Sequence, residues 1–280
     1  MPQRDNISFY EWSKYSDKGL VRTNNEDAVI TLPEDGCFAV ADGMGGGDAG
    51  EVASRMVIDA VKNALYNTWN EFPGERKYSL LQNLIRVNAE IASYRDAHHF
   101  QMMGSTLSAV LFDPWMPSRV HCCHVGDSRI YCFRDGEIFQ ISRDQTLGEE
   151  LRKNSSVLKN IPERMFHILT QVIGGTAYLY PEWREITVFE EDLLVLCSDG
   201  VTAVREDRDL ENVMRLCSEP ARIVDAIKEQ VLLNGAPDNF SVICIKLHSI
   251  PEAPAVEADD QKENDLLMSL SEKFCISKKT

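Results

Sequence analysis

The 280-residue chain has no apolar run approaching the ~20 residues that a membrane-spanning helix needs. Its first residues, Met-Pro-Gln-Arg-Asp-Asn, lack the basic-then-apolar order of a signal peptide. Basic charge is short as well: 29 Lys and Arg stand against 44 Asp and Glu, for a net charge of −15. A footprint for nucleic-acid phosphates or an anionic membrane needs the opposite balance, so neither partner is expected. Cys-x-x-Cys pairs are missing, which leaves the 8 cysteines without the spacing of a structural zinc site. Together these absences predict a soluble, cytoplasmic protein with reduced thiols.

What the chain does have is a set of short apolar segments with two distinct periods. Cys37-Phe-Ala-Val-Ala41 reads as a buried strand meeting a turn at Asp42-Gly43. Beyond it, Ala53, Met56, Val57, Ala60, Val61, Ala64 and Leu65 recur at helical steps and predict a helix over 51–69. Pro73-Gly74 breaks it, and a second helix is expected over roughly 79–96. Residues 106–112, 120–125, 130–133 and 137–141 are β-branched and aromatic, with Asp135-Gly136 as a hairpin turn. Strands are expected again at 184–189, 193–197 and 240–247, and helices at 207–216 and 220–233. Hairpins without regular β–α alternation argue for antiparallel sheets covered by helices, an α+β fold. Cys37, Cys122, Cys123, Cys132, Cys197 and Cys244 fall within strand-like runs, where free Cys packs as a small hydrophobe. Residues 251–280 differ in composition and read as a solvated linker.

Aspartates stand repeatedly where such strands end. Asp42 follows Phe38–Ala41, Asp199 follows Leu193–Ser198, Asp238 precedes Asn239 and a strand, and Asp127 lies between two strands. Any one Asp-Gly pair is ordinary turn chemistry, and Asp35 and Asp135 are left there. Several carboxylates gathered at strand ends would repel one another unless cations sat between them. Oxygen-only ligation suits Mg²⁺ or Mn²⁺. Gly45-Gly46-Gly47-Asp48-Ala49-Gly50 also fits the dinucleotide pattern G-x-G-x-x-G, but Glu71 does not end a second parallel strand as that reading requires.

The order of the motifs carries more than any one of them. Arg22-Thr-Asn-Asn-Glu-Asp27 is followed by Phe38-Ala-Val-Ala-Asp-Gly-Met-Gly-Gly46, Gly104-Ser-Thr106 and Val125-Gly-Asp-Ser-Arg129. Arg143-Asp-Gln-Thr-Leu147, Leu169-Thr-Gln-Val-Ile-Gly174, Leu196-Cys-Ser-Asp-Gly200 and Asp238-Asn-Phe-Ser241 complete the series. Over residues 7–247 this resembles the metal-dependent protein serine/threonine phosphatases of type 2C, most of all their compact bacterial members.

The resemblance implies a four-layer α-β-β-α sandwich of two antiparallel sheets, formed by residues 1–248, with 249–280 as an acidic tail. It implies two Mg²⁺ or Mn²⁺ ions, with a third in many bacterial relatives. Asp42 would bridge the pair, Asp199 and Asp238 would complete the first ion's ligands, and Glu26 and the Gly43 carbonyl would serve the second. Asp127 with Asp199 would hold the third. Arg22 matches the phosphate-binding arginine, and Asp27 and Asn239 are supporting positions. The implied activity is hydrolysis of phosphoserine and phosphothreonine in proteins by a metal-activated water, opposing a serine/threonine kinase, in a monomer. Met44 stands where many eukaryotic members have a histidine, so the proton donor to the leaving group is unassigned. Gln145 replaces a frequent histidine, and residues 145–170 correspond to the family's variable flap. A pseudophosphatase and a small-molecule phosphohydrolase are the rival classes. Neither His98-His99, the oddly spaced His121 and His124, nor Cys197 is assigned a functional role.

Overall fold

The computed structural model describes residues 9–46, 49–66, 73–154, 161–205 and 207–250. The tail reading of 251–280 and the Glu71 reading both fall outside these described residues. One sheet has the order β1 (Tyr10–Asp17), β11 (Phe240–Leu247), β10 (Leu193–Cys197), β7 (Arg129–Arg134), β8 (Glu137–Gln140). The other runs β2 (Asp27–Leu32), β3 (Cys37–Gly45), β5 (Leu107–Phe112), β6 (Arg119–Val125), β9 (Glu182–Thr187), with β4 (Met103–Ser105) paired to the end of β3. Among the described residues every ladder is antiparallel, so they form no parallel βαβ unit of the kind a dinucleotide site needs.

Three buried layers separate four structural ones. Cys37, Ala39 and Ala41 of β3 pack with Val57 and Val61 of α1 (Ala49–Tyr66) and with Leu84 and Ile91 of α2 (Pro73–Ala97). The alternate residues Phe38 and Val40 face the other sheet, meeting Ile130, Leu194, Leu196, Ile243 and Ile245. Val195, Cys197, Val242 and Cys244 turn away from that middle layer toward α5 (Asp207–Leu216) and α6 (Pro220–Leu233). A strand buried on both faces reads as an unbroken apolar run, which is why β3, β10 and β11 are so conspicuous in sequence. Small side chains on the outer face of β3 let α1 lie close against it. Among the described residues no helix is long and apolar enough to cross a membrane.

Two expectations need correction. The second helix starts at Pro73, not near 79, because proline's missing N–H costs nothing in a first turn. Strand β3 does not turn at Asp42-Gly43: it continues to Gly45, with Gly43 opposite Ser105 and Gly45 opposite Met103. A Cβ on Gly43 would lie 2.0 Å from the Gly50 carbonyl oxygen, so glycine serves close packing against α1 there. The remaining boundaries agree closely. Asp135 and Gly136 take φ of 52° and 82°, the double-positive geometry of a two-residue hairpin. The described thiols are all free, and burial pushes Cys197 up to about 12, where thiolate chemistry is suppressed.

Candidate metal centre

Strand pairing and turn chemistry deliver the acidic residues to one end of the sandwich. Asp42 sits opposite Asp27 in the β2–β3 ladder. Its backbone is clasped by Thr106: the Asp42 N–H donates to Thr106 Oγ1 at 2.9 Å, and the Thr106 N–H donates to the Asp42 carbonyl at 2.8 Å. Thr106 Oγ1 in turn shares a 2.7 Å hydrogen bond with Ser128 Oγ, beside Asp127. The Gly104-Ser-Thr106 motif therefore fastens the Asp42 strand to the Asp127 turn.

The other motifs are stitched together in the same way. Gln145 donates its N–H to the Gly126 carbonyl at 2.7 Å and accepts the Gly126 N–H at 2.9 Å. It also accepts the Thr170 N–H at 2.8 Å, and Ser105 and Ile173 exchange backbone bonds at 2.9 and 3.0 Å. Asn239 accepts the Glu26 N–H at 2.8 Å and donates to the Asn24 and Lys18 carbonyls at 2.8 and 3.0 Å. Ser198 accepts the Ser241 N–H and donates to Asp27 Oδ2 at 2.7 Å. Asp199 follows as the first residue of the short helix α4 (Asp199–Thr202), separated from the end of β10 by Ser198 alone.

Asp42, Asp127 and Asp199 are each surrounded by protein yet keep one side toward solvent. Burial, then repulsion from Asp27 and Asp199, raises the Asp42 carboxyl well above its ordinary range, and Asp127 adds to this. Burial and Asp199 push Asp127 up to about 8, and burial alone is the largest cause lifting Asp27 to about 7. Asp199 is raised by burial and by Asp238, while a hydrogen bond with Asp42 and the charges of His167 and Arg22 pull the other way. Glu26 is raised chiefly by burial. Arg22 reaches in from the exposed side, its Nη2 2.7 Å from Asp238 Oδ2.

The structure thus brings together Arg22, Glu26, Asp27, Asp42, Asp127, Asp199, Asp238 and Asn239. Gly43 lies beside Glu26, its N–H donating to the Glu26 carbonyl at 3.1 Å. Among the described residues no three His, Cys, Asp or Glu side chains yet converge as a ready-made cage. Asp42 and Asp199 lie within hydrogen-bonding reach of each other, so each carboxyl bears directly on the other's charge. An all-carboxylate donor set whose charge is held back by burial and by repulsion among its members fits hard divalent cations. His167 faces this cluster from the 145–170 segment, and sequence reasoning passed over it because nothing local marks it. His121 and His124 do lie apart. His121 is near Asp113 and Glu185, whereas buried His124 contacts Ser108 Oγ and the Gly126 carbonyl.

A family model described as Protein phosphatase 2C matches residues 21–232. The chain is 36% identical over 234 residues to the serine/threonine protein phosphatase PstP of Mycobacterium tuberculosis, covering 81% of this chain and 43% of that one. It thus spans less than half the length of that relative. It is 28% identical over 240 residues to the serine/threonine phosphatase stp of Listeria innocua, covering 82% of this chain and 93% of that one. The solved catalytic domain of PstP in complex with two manganese ions superposes with a TM-score of 0.72 at 30% identity, covering 86% of this chain and 99% of that one.

Proposed function

Because the chain belongs to the protein phosphatase 2C family, we propose that it is a metal-dependent protein phosphatase acting on phosphoserine and phosphothreonine, opposing a serine/threonine kinase. The observation that carries this reading is the partly open cluster of Asp42, Asp127 and Asp199, whose carboxyls are all raised, first by burial and then by neighbouring carboxylates: Asp27 and Asp199 for Asp42, Asp199 for Asp127, and Asp238 for Asp199. Such an arrangement costs stability and is explained by cations that the cluster is built to hold.

In this proposal Asp42, Asp199, Asp238, Glu26 and the Gly43 carbonyl would hold Mg²⁺ or Mn²⁺ ions, and Asp127 with Asp199 would hold a further one. When bound, the ions supply an activated water and offset the charge of the phosphate. Arg22 spends one N–H on Asp238 and keeps 53% of its side chain exposed, so further donors remain for a phosphate oxygen pair. Its fixed positive charge stabilises the transition state as negative charge shifts onto the equatorial and leaving oxygens. Asn239, Asp27 and Thr106 hold the backbone and side chains in place. Met44 has no proton to give, so the departing alkoxide takes its proton from water. The catalytic domain is assigned to residues 1–248 of a cytoplasmic monomer, with 249–280 as an acidic tail. A pseudophosphatase usually loses such aspartates, and none is lost here.

The test is phosphate release from a phosphothreonine peptide, with Mn²⁺ and with EDTA, beside the Asp199→Asn protein. Release that needs metal and disappears in the variant is expected. Wild-type turnover in Asp199→Asn would overturn the site assignment. Folded protein that binds Mn²⁺ yet releases no phosphate from any phosphoprotein would overturn the activity.

A further inference from the structure

Arg22 is preceded by two exposed apolar side chains: Leu20 and Val21 are 66% and 67% exposed. Isolated exposed apolar residues are common and need no explanation. These two differ because the loop that presents them is held at several points. The Gly19 N–H donates to Asp17 Oδ1 at 2.8 Å, the Leu20 N–H donates to the Ala236 carbonyl at 3.0 Å, and the Lys18 carbonyl accepts from Asn239 at 3.0 Å. Gly19 itself has φ of +74°, and a Cβ there would come within 2.3 Å of the Asp238 carbonyl oxygen. The backbone is therefore pressed onto the 236–239 loop, the same loop that carries Asp238. A loop so tightly fixed could have turned polar side chains outward, yet it exposes Leu and Val in the two positions before Arg22.

The spacing suits a peptide. Residues of an extended chain lie ~3.3–3.6 Å apart, so neighbours one and two positions from a phosphorylated residue fall within reach of the two residues preceding Arg22. Neither the Leu20 nor the Val21 side chain carries a hydrogen-bonding or charged group, so contact with those side chains gains free energy by removing apolar surface from water. Acidic flanks would meet the −15 net charge and the carboxylate cluster unfavourably.

Resting on the phosphatase reading above, we infer that Leu20 and Val21 form a docking shoulder that selects phosphoprotein segments with a large apolar residue one or two positions from the phosphorylated one. The full chain with Mn²⁺ is assayed on p-nitrophenyl phosphate and on two phosphothreonine peptides of equal length, one flanked by leucines and one by serines. Wild-type protein should prefer the leucine peptide about tenfold in kcat/KM, through KM. In the Leu20→Ser/Val21→Ser protein that preference should collapse toward unity, with each peptide rate taken relative to p-nitrophenyl phosphate to correct for any loss of folded enzyme. Leu20→Met/Val21→Ile should restore it. Equal use of the two peptides by wild type, or a preference that survives the double serine change, would overturn the inference. Absence of metal-dependent turnover on all three substrates would instead remove the phosphatase reading on which it rests.

Discussion

Asp144 and Asp42 occupy the same end of the sandwich and are answered in opposite ways. Asp144 receives the Arg129 guanidinium through Nε at 3.0 Å and Nη2 at 2.7 Å, and Gln140 adds a third bond at 2.8 Å. Arg129 continues to Tyr131 at 2.9 Å, whose hydroxyl donates to Asp207 at 2.7 Å. Each charge in that network has a partner from the chain. Asp42, by contrast, faces Asp27, Asp127 and Asp199. A folded protein keeps a buried carboxylate either by pairing it internally or by leaving room for a partner from outside. The first arrangement stabilises the fold, and the second holds a function.

That contrast can be broken experimentally, beginning with its strongest consequence. Asp42→Asn should lower metal-dependent kcat by roughly a thousandfold or more, since several kcal/mol of charge stabilisation disappear. Its melting temperature in EDTA should hold or rise, because one repelling carboxylate has gone. A steady-state assay with a paired thermal melt checks both. Arg129→Met should do the reverse, costing about 3 kcal/mol or more of stability by stranding Asp144, measured by urea unfolding. Its kcat per folded molecule should stay near wild type.

Arg22→Ala comes next, with an expected loss in kcat/KM of roughly a hundredfold. Its stability should change little, since the Arg22–Asp238 pair is largely exposed. An unchanged kcat/KM would take Arg22 out of the site.

The smallest effect concerns pH. Asp27 and Asp127, lifted to about 7 and about 8, bind protons in the folded state that the unfolded chain has already released. Their contribution is complete below the ordinary carboxylate range and is lost as pH rises through about 7 to 8. The metal-free protein should therefore melt lower at pH 8 than at pH 5.5, and Mn²⁺ should shrink or reverse that difference. A metal-free melting temperature that climbs over the same interval would contradict the cluster's electrostatics.

How much could be read beforehand varied with the kind of signal. Strands β3, β10 and β11 and helices α5 and α6 were legible because burial on both faces, or on one helical stripe, leaves a strong periodic record. Strand β1 left none: Tyr10-Glu-Trp-Ser-Lys-Tyr-Ser-Asp17 lies at a sheet edge and mixes polar and aromatic residues on both faces. The turn expected at Asp42-Gly43 failed because a local Asp-Gly signal was overridden by pairing with β4, a segment some sixty residues away. The start of α2 was missed because Pro73 has one meaning inside a helix and another at its first turn.

Local sequence determined the buried strands, the amphipathic helices and the identity of the acidic residues, because periodicity and residue chemistry are properties of neighbouring positions. It also marked the ordered motifs by which the chain resembles its family. What the tertiary structure decided was which carboxylates would be left uncompensated. Asp144, in the loop after β8, and Asp42, within β3, are the same residue type. Only the arrival of Arg129 beside one, and of Asp27, Asp127 and Asp199 beside the other, separates a structural charge from a site. Coulomb energy depends on distance through space, and no pattern along the chain carries that distance.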